Sequence, residues 1–272
     1  MVRKILMQSS LRIKTCFRNG ITEIEDAFYT SPYKVMHPFH DGKHSDIMMM
    51  AASAGLFGGD HFSLNLDFGA KSDATFLSQS YEKVFNTDGK MASKNITISV
   101  GEEAKVCYMP YPAIPFAGSH YQSEARVQID PSAIFVYADI FTCGRTGMGE
   151  FFSMDKFQSK SRFYVGDKLV FADHTLIDPR KFDYAKIGFW QNYTQNGMMF
   201  VYCPKEGILD DLKKAIRERG KDVNGVTGVS RAEKGLVVRV LAMRGETIWN
   251  FFQSIRNIYI QKNVKSPKNV FI

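Results

Sequence analysis

Residues 62–68 read FSLNLDF, and this stretch decides the fold. Phe62, Leu64, Leu66 and Phe68 fall on one side of an extended chain; Ser63, Asn65 and Asp67 fall on the other. A half-buried strand needs that period of two. The same alternation runs outward in both directions. It recurs at Leu11–Phe17 (LRIKTCF), Ile96–Val100 (ITISV), Lys105–Met109 (KVCYM), Arg126–Ile129 (RVQI) and Ile134–Phe141 (IFVYADIF). These runs are rich in the β-branched and aromatic residues that suit a pleated surface. Turn formers separate them: Asn19-Gly20, Asp88-Gly89, Val100-Gly101-Glu102 and Asp130-Pro131-Ser132. Up to about residue 202 the pattern is mostly strand.

Two helical patterns follow. Over Glu206–Arg219, residues Ile208, Leu209, Leu212, Ala215 and Ile216 share a face, basic residues gather at the far end, and Gly220 is placed to close the helix. Over 246–262, Ile248, Phe252, Ile255 and Tyr259 recur at spacings of three and four, with Trp249 and Phe251 widening the apolar face. Between them lie two strand-like pieces, Gly225–Val229 and Leu236–Ala242. The reading is a mainly β fold with two α-helices near the C-terminus. Residues 1–262 form one domain of many short strands in stacked or sandwich-like sheets, and 263–272 form a tail. Sandwich, barrel and solenoid-like stack all accommodate many short strands. No strict repeat of 20 to 50 residues appears, which speaks against a regular solenoid.

Composition narrows the class. At 272 residues the chain can bury a sizeable core. Its 44% hydrophobic and 23% charged residues are those of a globular protein rather than a disordered one. No run approaches the roughly 20 apolar residues of a membrane span, and the N-terminus lacks a signal-peptide pattern, so a cytoplasmic protein with no membrane partner is expected. The net charge of +7 is spread along the chain, with a denser end at Arg256, Lys262, Lys265 and Lys268. Nucleic-acid binders concentrate such charge on one face, so no nucleic acid is expected. Cys16, Cys107, Cys143 and Cys203 are far apart and read as buried free thiols, not as a zinc or disulfide set.

Four clusters carry possible chemistry. In SAGLFGGD (53–60), glycines permit close packing and Asp60 either caps a turn or projects into a cavity. In QSYEKVF (79–85), Glu82 and Lys83 read as a solvated pair. In MPYPAIPF (109–116), three prolines forbid both helix and central strand. In DIFTCGRTGMGEF (139–151), Asp139 sits inside an apolar strand. It must be paired, with Arg145 the natural partner, or hydrated in a polar cavity, and Glu150 adds a second carboxylate. His37, His40 and His44 lie in HPFHDGKH, which reads as a surface loop with weak metal capture as the alternative. An enzymatic reading would make Asp139 and Glu150 an acid–base pair facing one pocket. No nucleophile elbow or HExxH motif accompanies them.

In order and spacing these clusters resemble the UreD/UreH family of urease accessory proteins. The matching blocks are SAGLFGGD, QSYEKVFNT, PYPAIPF and the strand with Asp139 followed by Gly144-Arg145 and Gly149-Glu150. LRIKTCF, EDAFYTSPYKVMHPF, FADHTLIDP and the two-helix region are also similar. Ala54 stands where the family has proline, and Leu56 where it has a second glycine. The resemblance implies a non-enzymatic scaffold that joins UreF and the GTPase UreG to apo-urease, in a two-to-two heterocomplex with UreF. It implies nickel delivery through an internal acidic, water-filled tunnel, with transient nickel(II) and no tightly bound cofactor. Asp60 and Asp139 match acidic positions of that route, where nickel would bind weakly. Asp173 is a further candidate, and Glu150 is added for its place beside Gly144-Arg145. Gly55, Gly58, Gly59, Lys83, Gly144 and Arg145 are the structural positions of the motif. The alternative is a pure protein-binding scaffold without a metal path.

Overall fold

A computed structural model of the chain describes residues 6–261. The 263–272 tail and Lys262 of the second helical pattern lie outside those residues. The first hairpin is β1 (Gln8–Arg18) and β2 (Ile21–Tyr29). Its turn is Asn19-Gly20, both with positive φ, as a two-residue hairpin requires. Next come β3 (Tyr33–Val35) and a second hairpin, β4 (Phe39–Asp41) with β5 (His44–Ala51). The HPFHDGKH segment is therefore a hairpin rather than an irregular loop.

From β5 onward the chain winds as a coil. The strands are β6 (His61–Phe68), β7 (Asp73–Ser78), β8 (Glu82–Val84), β9 (Ala92–Val100), β10 (Lys105–Tyr108), β11 (Ala113–Pro115), β12 (His120–Ile129), β13 (Ile134–Thr142) and β14 (Lys156–Val165). One sheet holds β1, β6, β9, β12 and β14 in parallel; the facing sheet holds β5, β7, β10 and β13 in parallel. Each turn of chain gives one strand to the facing sheet and one to the first, so the stack is a short β-solenoid with capped ends. At the corner, β8 and β11 pair in parallel. This is where the proline-rich segment belongs, at the end of a short strand.

The sequence hides the repeat because the turns differ in length. Ser45 lies opposite Ala74, 29 residues on, while Val106 lies 32 residues beyond Ala74. In the first sheet, His120 lies opposite Lys156, 36 residues on. Register within the strands is kept and the corners absorb the difference, so no fixed period survives.

The stack ends antiparallel, with β15 (Lys168–Ile177) on the first sheet and β16 (Gln195–Tyr202), β17 (Gly225–Ala232) and β18 (Gly235–Ala242) on the facing sheet. Two α-helices are present among the described residues, α1 (Glu206–Gly220) and α2 (Gly245–Gln261). They cover the outer side of the facing sheet. Leu209, Leu212, Ile216, Ile248, Phe252 and Ile255 are buried there against Val136, Val201 and Val238. β13 and β16 are thus buried on both faces and read as apolar runs, not alternations. Gly220 does not adopt the left-handed closing conformation. It is the last helical residue, and a β-carbon there would meet the Thr227 hydroxyl at 2.5 Å.

Truncating a side chain under α2 gives a direct test of this packing. Phe252→Ala should cost about 3–5 kcal/mol in urea unfolding, since Phe252 is fully buried. Phe39→Ala, at an exposed position, should stay within about 0.5 kcal/mol of wild type.

Candidate functional site

In-register stacking brings like positions of successive turns into ranks. Phe76, Tyr108 and Tyr137 stack along the facing sheet, with ring centroids 5.6 and 5.1 Å apart. Opposite them in the first sheet runs a different rank: Phe62, Lys94, Ser123 and Ser159 are consecutive register partners. Two serines in an inward rank leave room that larger side chains would fill. The result is a cavity of about 80 Å³ between the sheets. At about 10–15 Å³ per water, and with polar groups among its walls, such a space can hold several waters. Its lining includes solvent-exposed Ser53, Ala54, Gln79 and Ser80 as well as Asp139 and Ser159.

Asp139 lines this cavity. Its Oδ2 accepts a 2.6 Å hydrogen bond from Ser159 across the two sheets. Burial pushes its carboxyl up to about 6; the Ser159 bond and the charge of Lys94 partly offset this, and Asp173 and Glu82 add to it. Of the two readings of Asp139, the cavity is the one found. Arg145 is not its partner. That guanidinium forms a two-pronged pair with Glu150, one bond being 2.9 Å from Nε, and it stacks over Phe116. The Arg145 pair holds the Glu150 carboxyl below its ordinary value. Asp139 and Glu150 thus occupy separate environments, which removes the acid–base pair of the enzymatic reading.

Glu82 does not pair with Lys83 either. Its Oε1 meets Lys94 Nζ at 2.7 Å, and its Oε2 accepts from the Tyr121 hydroxyl at 2.9 Å. Lys94 is buried, at 6% side-chain exposure. Lys83 is exposed at the cavity's outer end, and its carbonyl accepts from Leu56 N–H. Burial raises Tyr33, Tyr108, Tyr121 and Tyr137 well above the ordinary tyrosine value, so they stay neutral. The Tyr33 hydroxyl is buried without a hydrogen-bond partner. Lys94 and the tyrosines carry no mark in the sequence, where Glu82 reads as a solvated partner of Lys83. One signal was available: in ASKNITISV (92–100), Lys94 shares the inward parity of Ala92, Ile96 and Ile98.

Of the remaining candidates, Gly55 lines the cavity and the others lie off it. Asp60 is buried and caps a turn: its carboxylate accepts from Phe57 N–H at 2.8 Å and Met7 N–H at 3.0 Å. The glycines beside it allow backbones to touch. A β-carbon on Gly55 would lie 2.3 Å from the Lys83 carbonyl oxygen, and one on Gly58 2.0 Å from that of Thr87. Gly59 and Gly144 both have positive φ. Asp173 pairs with Arg239 on the next sheet. Its charge reaches Asp139, but it does not line the cavity.

The three histidines do not converge. His40 bonds Ser45 at 2.8 Å, and His37 bonds its own neighbour's carbonyl. His44 Nδ1 donates to Asp73 at 2.6 Å, and Arg256 on α2 donates to Asp46 at 3.0 Å beside it. Burial opposes charge on His44, but the bonds to Asp46 and Asp73 outweigh it and raise the imidazole's value. Arg256 therefore belongs to an interior network, not to a basic surface end. Among the described residues no group of three or more His, Cys, Asp or Glu is placed to hold a metal ion. None of the described helices is long and apolar enough to cross a membrane.

Comparison with known proteins gives one consistent answer. The model of the UreD urease accessory protein family matches residues 7–270. The urease accessory protein UreH of Helicobacter pylori (strain G27) is 31% identical over 257 residues, covering 93% of this chain and 96% of that protein. UreD of Acetivibrio thermocellus is 28% identical over 263 residues, covering 95% and 99%. UreD of Flavobacterium johnsoniae is 28% identical over 268 residues, covering 96% of each.

Asp139 makes stability depend on pH in a defined direction. Its folded value of about 6 exceeds the ordinary 3.8, so between these limits the folded chain holds a proton that the unfolded chain has lost. Its contribution falls as pH rises through that window. Asp139→Asn should therefore gain on wild type by roughly 2 kcal/mol between pH 4 and pH 7.5 in urea unfolding. A difference that is equal at both pH values would mean an ordinary carboxyl.

Proposed function

Because this chain belongs to the UreD family of urease accessory proteins, we propose that it is a non-catalytic cytoplasmic scaffold that joins UreF and UreG to apo-urease and passes nickel(II) through the Asp139 cavity. The observation that carries this reading is the cavity itself: a space between two sheets, lined by exposed residues and by the Asp139 carboxyl, whose value burial raises. A carrier must release what it binds. Carboxylates and water hold nickel less tightly than imidazole or thiolate sets do, and polar walls lower the cost of bringing a dication into protein. In this reading nickel is cargo, held transiently, with no resident cofactor.

Partner docking has its own support. Exposed Leu176, Phe189 and Val226 line a groove between β15 and β17. Phe182 and Ile187 are also exposed in the same loop as Phe189. Apolar groups left exposed this close together suit a protein interface. The engagement of Asp60 and Glu150 in structural contacts favours the second reading, a scaffold without a metal path, over a relay that includes them.

Reconstitution with UreF, UreG and apo-urease separates the two. Asp139→Asn should lower urease activation at least tenfold while co-purification with UreF is kept. Unchanged activation in that variant, with loss only when the exposed side of α2 is altered, would leave the pure scaffold. Asp60→Ala is the wrong probe alone, since it strips two backbone N–H groups of their buried acceptor.

A further inference from the structure

Lys94 stands where a cation would be expected to bind. Its stem comes from the first sheet, and its ammonium lies 2.7 Å from one oxygen of Glu82. The other Glu82 oxygen is fixed by the Tyr121 hydroxyl. The Lys94 charge also reaches Asp139 and lowers its carboxyl's value. Glu82, Asp139, Lys94 and the partnerless Tyr33 hydroxyl all line the same cavity. That hydroxyl is a buried oxygen with nothing to bind. It is a natural contact for a hydrated cation entering between Glu82 and Asp139.

We propose that Lys94 is a built-in counter-ion occupying the cation position of the cavity, and that a divalent ion advances only by displacing its ammonium from Glu82. The proposal rests on the nickel-path reading above. Without the ammonium, two carboxylates facing one enclosed space would hold a dication tightly, since Coulomb attraction is strong away from bulk water. With it, every entering ion competes against a tethered positive charge, and binding stays weak. Lysine suits the part: its point charge rides on a flexible four-carbon stem and can swing aside, whereas a forked guanidinium would lock onto the carboxylate. Glu82 is thereby assigned as a cargo-contacting carboxylate, and Lys94 as the residue that sets how loosely cargo is held.

The test is equilibrium dialysis of the full chain against nickel(II) at pH 7.5. Lys94→Met should create a site, or tighten an existing one, at least tenfold. Glu82→Gln combined with Lys94→Met should return binding to within about threefold of wild type. Lys94→Met binding within twofold of wild type overturns the proposal. If Lys94→Met does not fold, the wild-type chain decides. Nickel should speed acetylation of Lys94 at least fivefold, read by mass spectrometry, because the displaced amine becomes reachable. No acceleration at saturating nickel overturns it equally. The two layers fail differently. If Asp139→Asn impairs urease activation while Lys94→Met binds nickel as wild type does, only this proposal falls. If Asp139→Asn leaves activation untouched and Lys94→Met gains no nickel, the path itself is gone.

Discussion

In-register parallel stacking is the constraint from which the rest of this structure follows. Each turn of chain sets its strands directly over those of the turn before, so an inward side chain meets its counterpart one turn away. Where the counterparts are aromatic they stack, as Phe76, Tyr108 and Tyr137 do. Where they are aliphatic they fill the space between the sheets, as Leu64, Ile96 and Ala125 do nearby. The strands need not match in sequence. They need only place a residue of suitable size at the same level, and this frees the corners to vary.

The same rule makes the cavity. A rank holding Lys94, Ser123 and Ser159 cannot close as an apolar rank would, because two of its members are short and the third carries charge. Burying that charge is tolerable only with a partner, and Glu82 supplies it from the corner strand. Asp139 enters from the facing sheet with a neutral hydroxyl, Ser159, as its hydrogen-bond donor. The cavity therefore holds one carboxylate paired with an ammonium and one whose hydrogen bond comes from a serine.

The helices cap this arrangement and tie it together. α2 lies across the facing sheet with Ile248, Phe252 and Ile255 buried, and Trp249 stacks on Tyr111 of the proline-rich corner at 4.3 Å. At its other end Arg256 reaches Asp46 beside the His44–Asp73 pair. One helix thus spans from the corner that borders the cavity to the first turns of the stack. Its contacts join residues some 210 positions apart.

The sequence by itself determined the elements whose two faces meet different surroundings. FSLNLDF and ITISV show their period because one side is buried and the other wet, and both helices show theirs for the same reason. It also determined the membership in the family, through ordered glycine, proline and acidic blocks. It did not determine partners across the stack. Asp139 passes over Arg145, six residues on, for Ser159, and Glu82 passes over its neighbour Lys83 for Lys94. Successive residues of a strand point to opposite faces, so nearness in sequence is a poor guide to contact. Only the register of one turn on the next decided which charges share an interior, because corners of unequal length conceal the repeat until the chain is wound.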